Sequence, residues 1–531
     1  MKLALVEMVK LKKIRAVLLS SFCMLMLFGR CTSQQQTQRP PVDVSIQQQY
    51  IPLLKGKNND VAFIDFELEK EDVLTELEWK IDGASALESV LVYEVIGEEN
   101  NLQREPVGAL VEVGKKAEMK LNKTFSAGVH KLVISVQPKQ NASLLEKVRL
   151  SMSKVSFANV PVSIQEVGDH SSFRLATSLR TAGDDGVAAY RIPGLATTAK
   201  GSLIAVYDVR HNSSVDLQED IDVGMSRSTD GGKSWEPMKI VMDMGEWGGK
   251  PQIENGIGDP AVLVDPSDNT IYVVALWMHG KPDKRAWFSS GQGFSPEETG
   301  QLILVKSKDD GQTWSKPINI TSQIKRKEWK LMFNGPGKGI TMRNGTLVFA
   351  GQFKDESDMP HSTIIYSKDK GETWHIGAGA KSNTTEAQVV ELNDGSLMLN
   401  MRDNRGGARS VAVTKDMGKT WEEHATSRSA LVEPVCMASL ITYPENRLVE
   451  DASQLFFSNP AVTDGRYNMT IKASQDQGSS WSIGLLLDAG RGWGYSCLTV
   501  IDEKHLGILY ESSQAHMTFQ VIPIADVLEA K

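Results

Sequence analysis

The pattern [ST]-x-D-x-G-x-[ST]-W occurs five times in the C-terminal part of the chain: STDGGKSW (228 to 235), SKDDGQTW (307 to 314), SKDKGETW (367 to 374), TKDMGKTW (414 to 421) and SQDQGSSW (474 to 481). Each copy holds the parts of a tight turn. An Asp and a Ser or Thr can bond their own main chain, a Gly supplies permissive backbone, and a Trp packs beneath. Repetition of this kind identifies a fold built from one repeated supersecondary unit.

A weaker repeat lies upstream of each turn: GSLIAVYD, NTIYVVALW, NGTLVFAG, DGSLMLNM, SQLFFSNP and, a sixth time, KHLGILYE, with apolar runs beginning at Leu203, Ile271, Leu347, Leu397, Leu455 and Leu506. The intervals leave room for a four-stranded sheet with loops, and the turn residues ahead of several runs mark a β-hairpin. The expected fold is all-β: a six-bladed β-propeller over residues 170–531, preceded by a small β-sandwich over 42–160. In the latter, VAFIDFELE (61 to 69), KLVISVQ (131 to 137) and VRLSMSKVSF (148 to 157) read as strands. That domain carries no catalytic constellation and is expected to be structural or carbohydrate-binding.

The N-terminus reads as a targeting segment. KLKKIR (10 to 15) precedes the apolar run AVLLSSFCMLMLF (16 to 28), which predicts a leader over 1–31, a polar tether over 32–41, and export to the periplasm, the outer membrane or the medium. LFGRC ends at Cys31, as a lipoprotein cleavage site would, yet Arg30 stands where such a site wants a small residue. Plain cleavage and lipidation both stay open, and a lipid on Cys31 is the one membrane attachment expected.

Charge and cysteine count narrow the function. The 58 Lys+Arg and 66 Asp+Glu are spread without long blocks of one sign, so nucleic acid is not expected as a partner. Of four cysteines, two fall in the leader; Cys436 and Cys497 are too few for a disulfide framework. No His/Cys cluster has zinc spacing, and neither metal nor cofactor is expected.

Within each unit the hairpin returns the end of strand two to the face where strand one begins, and strand three starts there as well. Polar residues at those ends should converge on the axis. Arg191 (AAYRIP), Asp259 (GDP), Glu386 (TTEAQVV) and Tyr495 (GYSCLTV) begin first strands. Arg210, Arg402 and Glu511 end second strands, and Arg466 (DGRYNMTI) opens a third. The repeated turns fall on the opposite face. Arginines 191, 402 and 466 come from three different units to one place, with few carboxylates in the same layer to neutralise them. They suit a ligand carboxylate held at two oxygens.

The five turns resemble the Asp boxes of bacterial sialidases. With Arg191 in RIP, Glu386, Arg402, Arg466 and Tyr495 added, the likeness to the retaining, exo-acting family covers residues 170 to 531. The resemblance implies that the three arginines clamp the carboxylate of sialic acid, that Tyr495 is the nucleophile with Glu386 as its base, and that Glu511 orients Arg191. It implies an acid/base Asp in a loop after RIP, where Asp216 stands in HNSSVDLQED beside Glu219, Asp220 and Asp222. Arg210 and Asp259 match positions that contact the sugar's hydroxyl and N-acyl side. The substrates implied are sialylated glycoconjugates. Trans-sialidases, intramolecular trans-sialidases and a non-catalytic sialic-acid-binding propeller share part of this set and stand as alternatives. Trp493, Trp247 and Trp277 read equally as pocket walls or as packing.

Overall fold

The structure is a computed structural model describing residues 40–97, 103–111, 113–167, 172–282, 284–443 and 454–530. The leader, Cys31 and all but the last two residues of the tether lie outside the described residues. From residue 41 the chain forms one compact unit.

Six sheets stand around an axis, each built mainly from consecutive antiparallel strands. Blade one is Ala189–Thr197, Leu203–Arg210, Ile221–Ser228 and Lys239–Met242. Blade four repeats the plan as Thr384–Glu391, Leu397–Asp403, Ser410–Thr414 and Glu422–Glu423. The innermost strands of successive blades touch one another and close a ring, with Ala189–Thr197 against Ser496–Val500 of blade six. Second strands such as Leu203–Arg210, Thr270–Trp277 and Leu347–Lys354 are buried along their whole length, because each is covered on both faces by neighbouring blades.

The five Asp boxes form the same turn. In the first, Ser228 Oγ donates to Asp230 Oδ1 (2.8 Å) and accepts from the Gly232 N–H (2.9 Å), while Asp230 accepts from the Ser234 N–H (3.0 Å) and Oγ (2.6 Å). Gly232 (φ +86°) follows a second left-handed residue, and a Cβ on it would lie 2.1 Å from the Phe519 ring. Each box follows strand three, beside the start of strand two: Leu203 pairs with Ser228, whereas Arg210 pairs with Ile221 at the other end.

Blade six carries no Asp box because its outer strand does not follow its third. That strand is Phe173–Arg180, from upstream of blade one, antiparallel to Met517–Pro523. Its other edge pairs with Lys147–Phe157 and Leu53–Leu54 of the N-terminal domain, so one eight-stranded sheet runs from propeller into sandwich. The sandwich's second sheet has six strands, and its last strand, Val162–Val167, runs past the boundary at 160 expected from the alternation, parallel to Val42–Gln48. A shared core joins Ile64, Trp79 and Val148 of the sandwich to Leu195, Tyr207 and Phe519 of the propeller.

Candidate active site

Where the first strands begin, a cavity of about 500 Å³ opens on the axis. Arg191, Asp259 and Glu386 are each the third residue of a first strand, in Ala189–Thr197, Ile257–Asp265 and Thr384–Glu391. All three strands have a bulge there: pairing shifts between Arg191 and Gly194, between Gly258 and Ala261, and between Thr384 and Ala387. A bulge bends the strand and re-aims a side chain, and here the same irregularity turns three candidate side chains inward. Left-handed backbone at Ile192 (φ 62°) and Asp259 (φ 58°) belongs to two of these bulges.

Seven predicted residues line the cavity: Arg191, Asp216, Asp259, Glu386, Arg402, Arg466 and Tyr495. The other two lie behind the wall. Glu511 is buried and accepts from Arg191 Nε (2.6 Å), from the Ile192 N–H (3.0 Å) and from the Tyr495 N–H (3.0 Å). Arg210 is buried and donates to Asp208 Oδ2 (2.8 Å), Asp216 Oδ1 (2.8 Å) and the Ser214 carbonyl (2.7 Å).

Tyr495 is 5% exposed. Its hydroxyl donates to Glu386 Oε1 (2.5 Å) and accepts from Arg402 (3.0 Å), which also donates to Glu386 Oε2 (2.7 Å). Burial, then the negative charge of Glu386, pushes the phenol well above its ordinary pKa, against the opposing effect of Arg402 and Arg466. The guanidinium of Arg191 sits 4.2 Å from the Trp493 ring centre; that of Arg466 donates to the Trp493 carbonyl (2.8 Å) and lies 5.6 Å from the Tyr495 ring. Trp493 therefore packs under the arginines and does not line the cavity, and Trp247 and Trp277 pack edge to face against each other away from it.

The expectation of few carboxylates near the arginines is corrected. Arg191 is paired with Glu511, Arg402 with Glu386, and Arg210 with Asp208 and Asp216. What favours an incoming anion is finer: the buried Nε–H of Arg402 has no partner among the described residues, and two hydrogen bonds of Arg466 go to neutral carbonyls at Trp493 and Val435. Burial and then the neighbouring Asp208 push the Asp259 carboxyl well above the usual range.

Among the acidic residues of HNSSVDLQED, geometry separates Asp216 from the others. Asp216 faces the cavity, 57% exposed at its side chain. Glu219 accepts from Asn212, and Asp222, inside strand Ile221–Ser228, is buried against His211. The loop is stapled to blade two: the Gln218 amide donates to the carbonyls of Met278 (2.9 Å) and Gly280 (3.0 Å) and accepts from the Gly256 N–H (3.2 Å). Burial would raise the Asp216 carboxyl, but Arg210 more than offsets this and holds it below the usual range.

Sequence reading missed Asp208, which accepts from both Arg210 and the Asp259 N–H (2.8 Å). Residues two apart on a strand share a face, so AVYDVR already put Asp208 beside Arg210. It also missed the buried pair Arg409–Glu433 (3.0 Å, both 0% exposed) beneath the Val435–Cys436 turn, for which the sequence offers no local signal.

Residues 192–511 match the BNR repeat-like domain family, the class of Asp-box propeller that the five turns and the axial cavity define. The chain is 52% identical over 419 residues to a sialidase of Bacteroides fragilis (strain YCH46), covering 78% of this chain and 77% of the relative. It is 32% identical over 338 residues to a sialidase of Micromonospora viridifaciens, covering 62% and 50%. Among solved structures, Hadza microbial sialidase Hz136 aligns with a TM-score of 0.86 at 46% identity, over 91% of this chain and 100% of that one. The chain belongs to the bacterial exo-α-sialidase family of glycoside hydrolases.

Proposed function

We propose that this chain is a retaining exo-α-sialidase that hydrolyses terminal α-linked sialic acid from glycoproteins, glycolipids and oligosaccharides through a covalent sialyl-tyrosine. The observation that carries the reading is the Tyr495 hydroxyl, 2.5 Å from Glu386 and 3.0 Å from Arg402 in a cavity that Arg191 and Arg466 also border. The three guanidinium groups bind the sugar's carboxylate, which sits on the anomeric carbon. A carboxylate nucleophile would approach that carbon against like charge; a neutral phenol does not. Sialidases with a tyrosine nucleophile are a known exception among retaining glycosidases.

The raised phenol dictates the order of events. An ordinary phenol is ionised in about one molecule in a thousand at pH 7, and Tyr495 less than that. Attack is therefore coupled to proton transfer. As the Tyr495 oxygen bonds the anomeric carbon, Glu386 takes the phenol proton, the bond to the leaving oxygen breaks, and Asp216 protonates that oxygen. Water then attacks the same carbon, Asp216 takes its proton, and the Tyr495 oxygen departs and recovers a proton from Glu386, so configuration is retained. Asp216 must be protonated when the substrate is bound. A bound sialoside excludes water and brings its own anion, both of which move the carboxyl upward from its low resting value.

Release of 4-methylumbelliferone from its α-sialoside, by the wild type and by Tyr495→Phe, tests the reading once both are shown to be folded. Activity that falls at least about a hundredfold in the variant is expected. A Tyr495→Phe enzyme at the wild-type rate would remove the nucleophile, and a wild type that binds sialic acid without turnover would make this a lectin.

A further inference from the structure

The cavity wall beside Asp216 is not propeller strand. Between Thr270–Trp277 and Gln301–Ser307 of blade two the chain makes an excursion, and its short helix Ala286–Ser289 forms the rim. There Phe288 lines the same cavity as Tyr495 while 76% exposed, the highest value of any large hydrophobic side chain among the described residues. Single exposed apolar side chains are ordinary on protein surfaces. This one differs in being held at a fixed place in the mouth of a polar site.

The fixing is done by two lysine side chains that bond to the rim's backbone, one of which, Lys354, also pairs with Asp358 (2.9 Å). Lys354 Nζ donates to the Trp287 carbonyl (2.9 Å) and lies 5.1 Å from the centre of that ring. Lys281 Nζ donates to the Ser289 carbonyl (2.9 Å) and to that of Glu298 (2.8 Å). The Ala286 N–H donates to the carbonyl of Leu217, the residue after Asp216, at 2.6 Å. The helix that presents Phe288 is thereby tied to the loop that presents Asp216.

We propose that Phe288 forms a subsite for the leaving group, the neutral pyranose to which sialic acid is joined, whose apolar C–H face packs on the phenyl ring. The proposal rests on the sialidase reading, in which Asp216 protonates the departing oxygen: the leaving group exits on the side of Asp216, and that side is where Phe288 stands. A pyranose offers both a patch of C–H groups and a rim of hydroxyls. The ring of Phe288 meets the first, and Arg285, on the same wall, supplies N–H donors for the second.

The test compares kcat/KM for 3′-sialyllactose with kcat/KM for methyl α-sialoside, whose leaving group is too small to reach the rim. Covering about 40 to 80 Å² of apolar ring corresponds to about fivefold to thirtyfold in affinity. Phe288→Ala is expected to lower the ratio of the two constants by that factor, and Phe288→Trp to hold it within about twofold of wild type. Truncation at so exposed a position leaves no internal void, and melting curves check both variants. A ratio unmoved in Phe288→Ala, or lost equally in Phe288→Trp, overturns the subsite. A wild type that hydrolyses neither substrate fails the sialidase reading itself, a result distinct from an unmoved ratio.

Discussion

Much of the site rests on a carboxylate that never faces the cavity. Both oxygens of Glu511 are acceptors, Oε1 for Arg191 Nε and the Ile192 N–H, Oε2 for the Tyr495 N–H, and its side chain is 1% exposed. In Glu511→Gln either orientation of the amide turns an NH₂ toward one of these donors, and Arg191 loses its counter-charge. Breaking one side of a buried pair costs about 3 to 5 kcal/mol. The expected outcome is a lower urea midpoint together with weaker sialic acid binding by calorimetry; unchanged values of both would show that Arg191 is held by other means. At this scale the sequence was most legible where a charged residue sat at a strand end, as with Arg191, Glu386 and Arg402, because strand alternation and hairpin direction fix where such ends go. It was least legible for Glu433 and Arg409, whose pairing is made by the path of a loop.

The Asp boxes are self-contained turns. Each is closed by bonds among residues no more than four apart, so the turn is written in eight residues and could be read from them. The same bonds act on the carboxyls. Side-chain and main-chain donors from Thr313 hold Asp309 at about 2, and Asp369 and Asp416 are also held at about 2 by donors of the same kind. A carboxyl depressed in the folded state stabilises it above the unfolded pKa of about 3.9 and ceases to do so as pH falls through the folded value. The urea midpoint is therefore expected to decline from about pH 4 toward pH 2, and to decline less steeply in Asp309→Asn/Asp369→Asn/Asp416→Asn. Parallel curves for variant and wild type would assign the acid loss elsewhere. Because the boxes stand beside the starts of second strands, the triple variant at neutral pH is expected to bind sialic acid as the wild type does.

For the whole molecule, the boundary between the two domains is a shared sheet. Phe173–Arg180 is at once the outer strand of blade six and the neighbour of Lys147–Phe157, and both domains contribute to one core. Sandwich and propeller are expected to unfold in a single calorimetric transition, whereas a chain beginning at residue 170 would leave Phe173 and Leu175, now buried, at an open edge and would melt lower. Two resolved transitions in the intact protein would refute the coupling. Periodicity alone could not have shown this strand's allegiance: its partner is far away in sequence, and an alternating run says only that a strand exists, not which sheet takes it.

Gln520 reaches across blade six to the Leu175 carbonyl, 345 residues earlier. At about 5 to 20 residues per second, translation needs on the order of 20 to 70 s to supply that partner once Leu175 has been synthesised. For all of that time the strand has no blade six to join, and the sandwich, complete by then, offers the neighbour that can keep it in register. The sandwich would then serve as the template on which the last blade assembles.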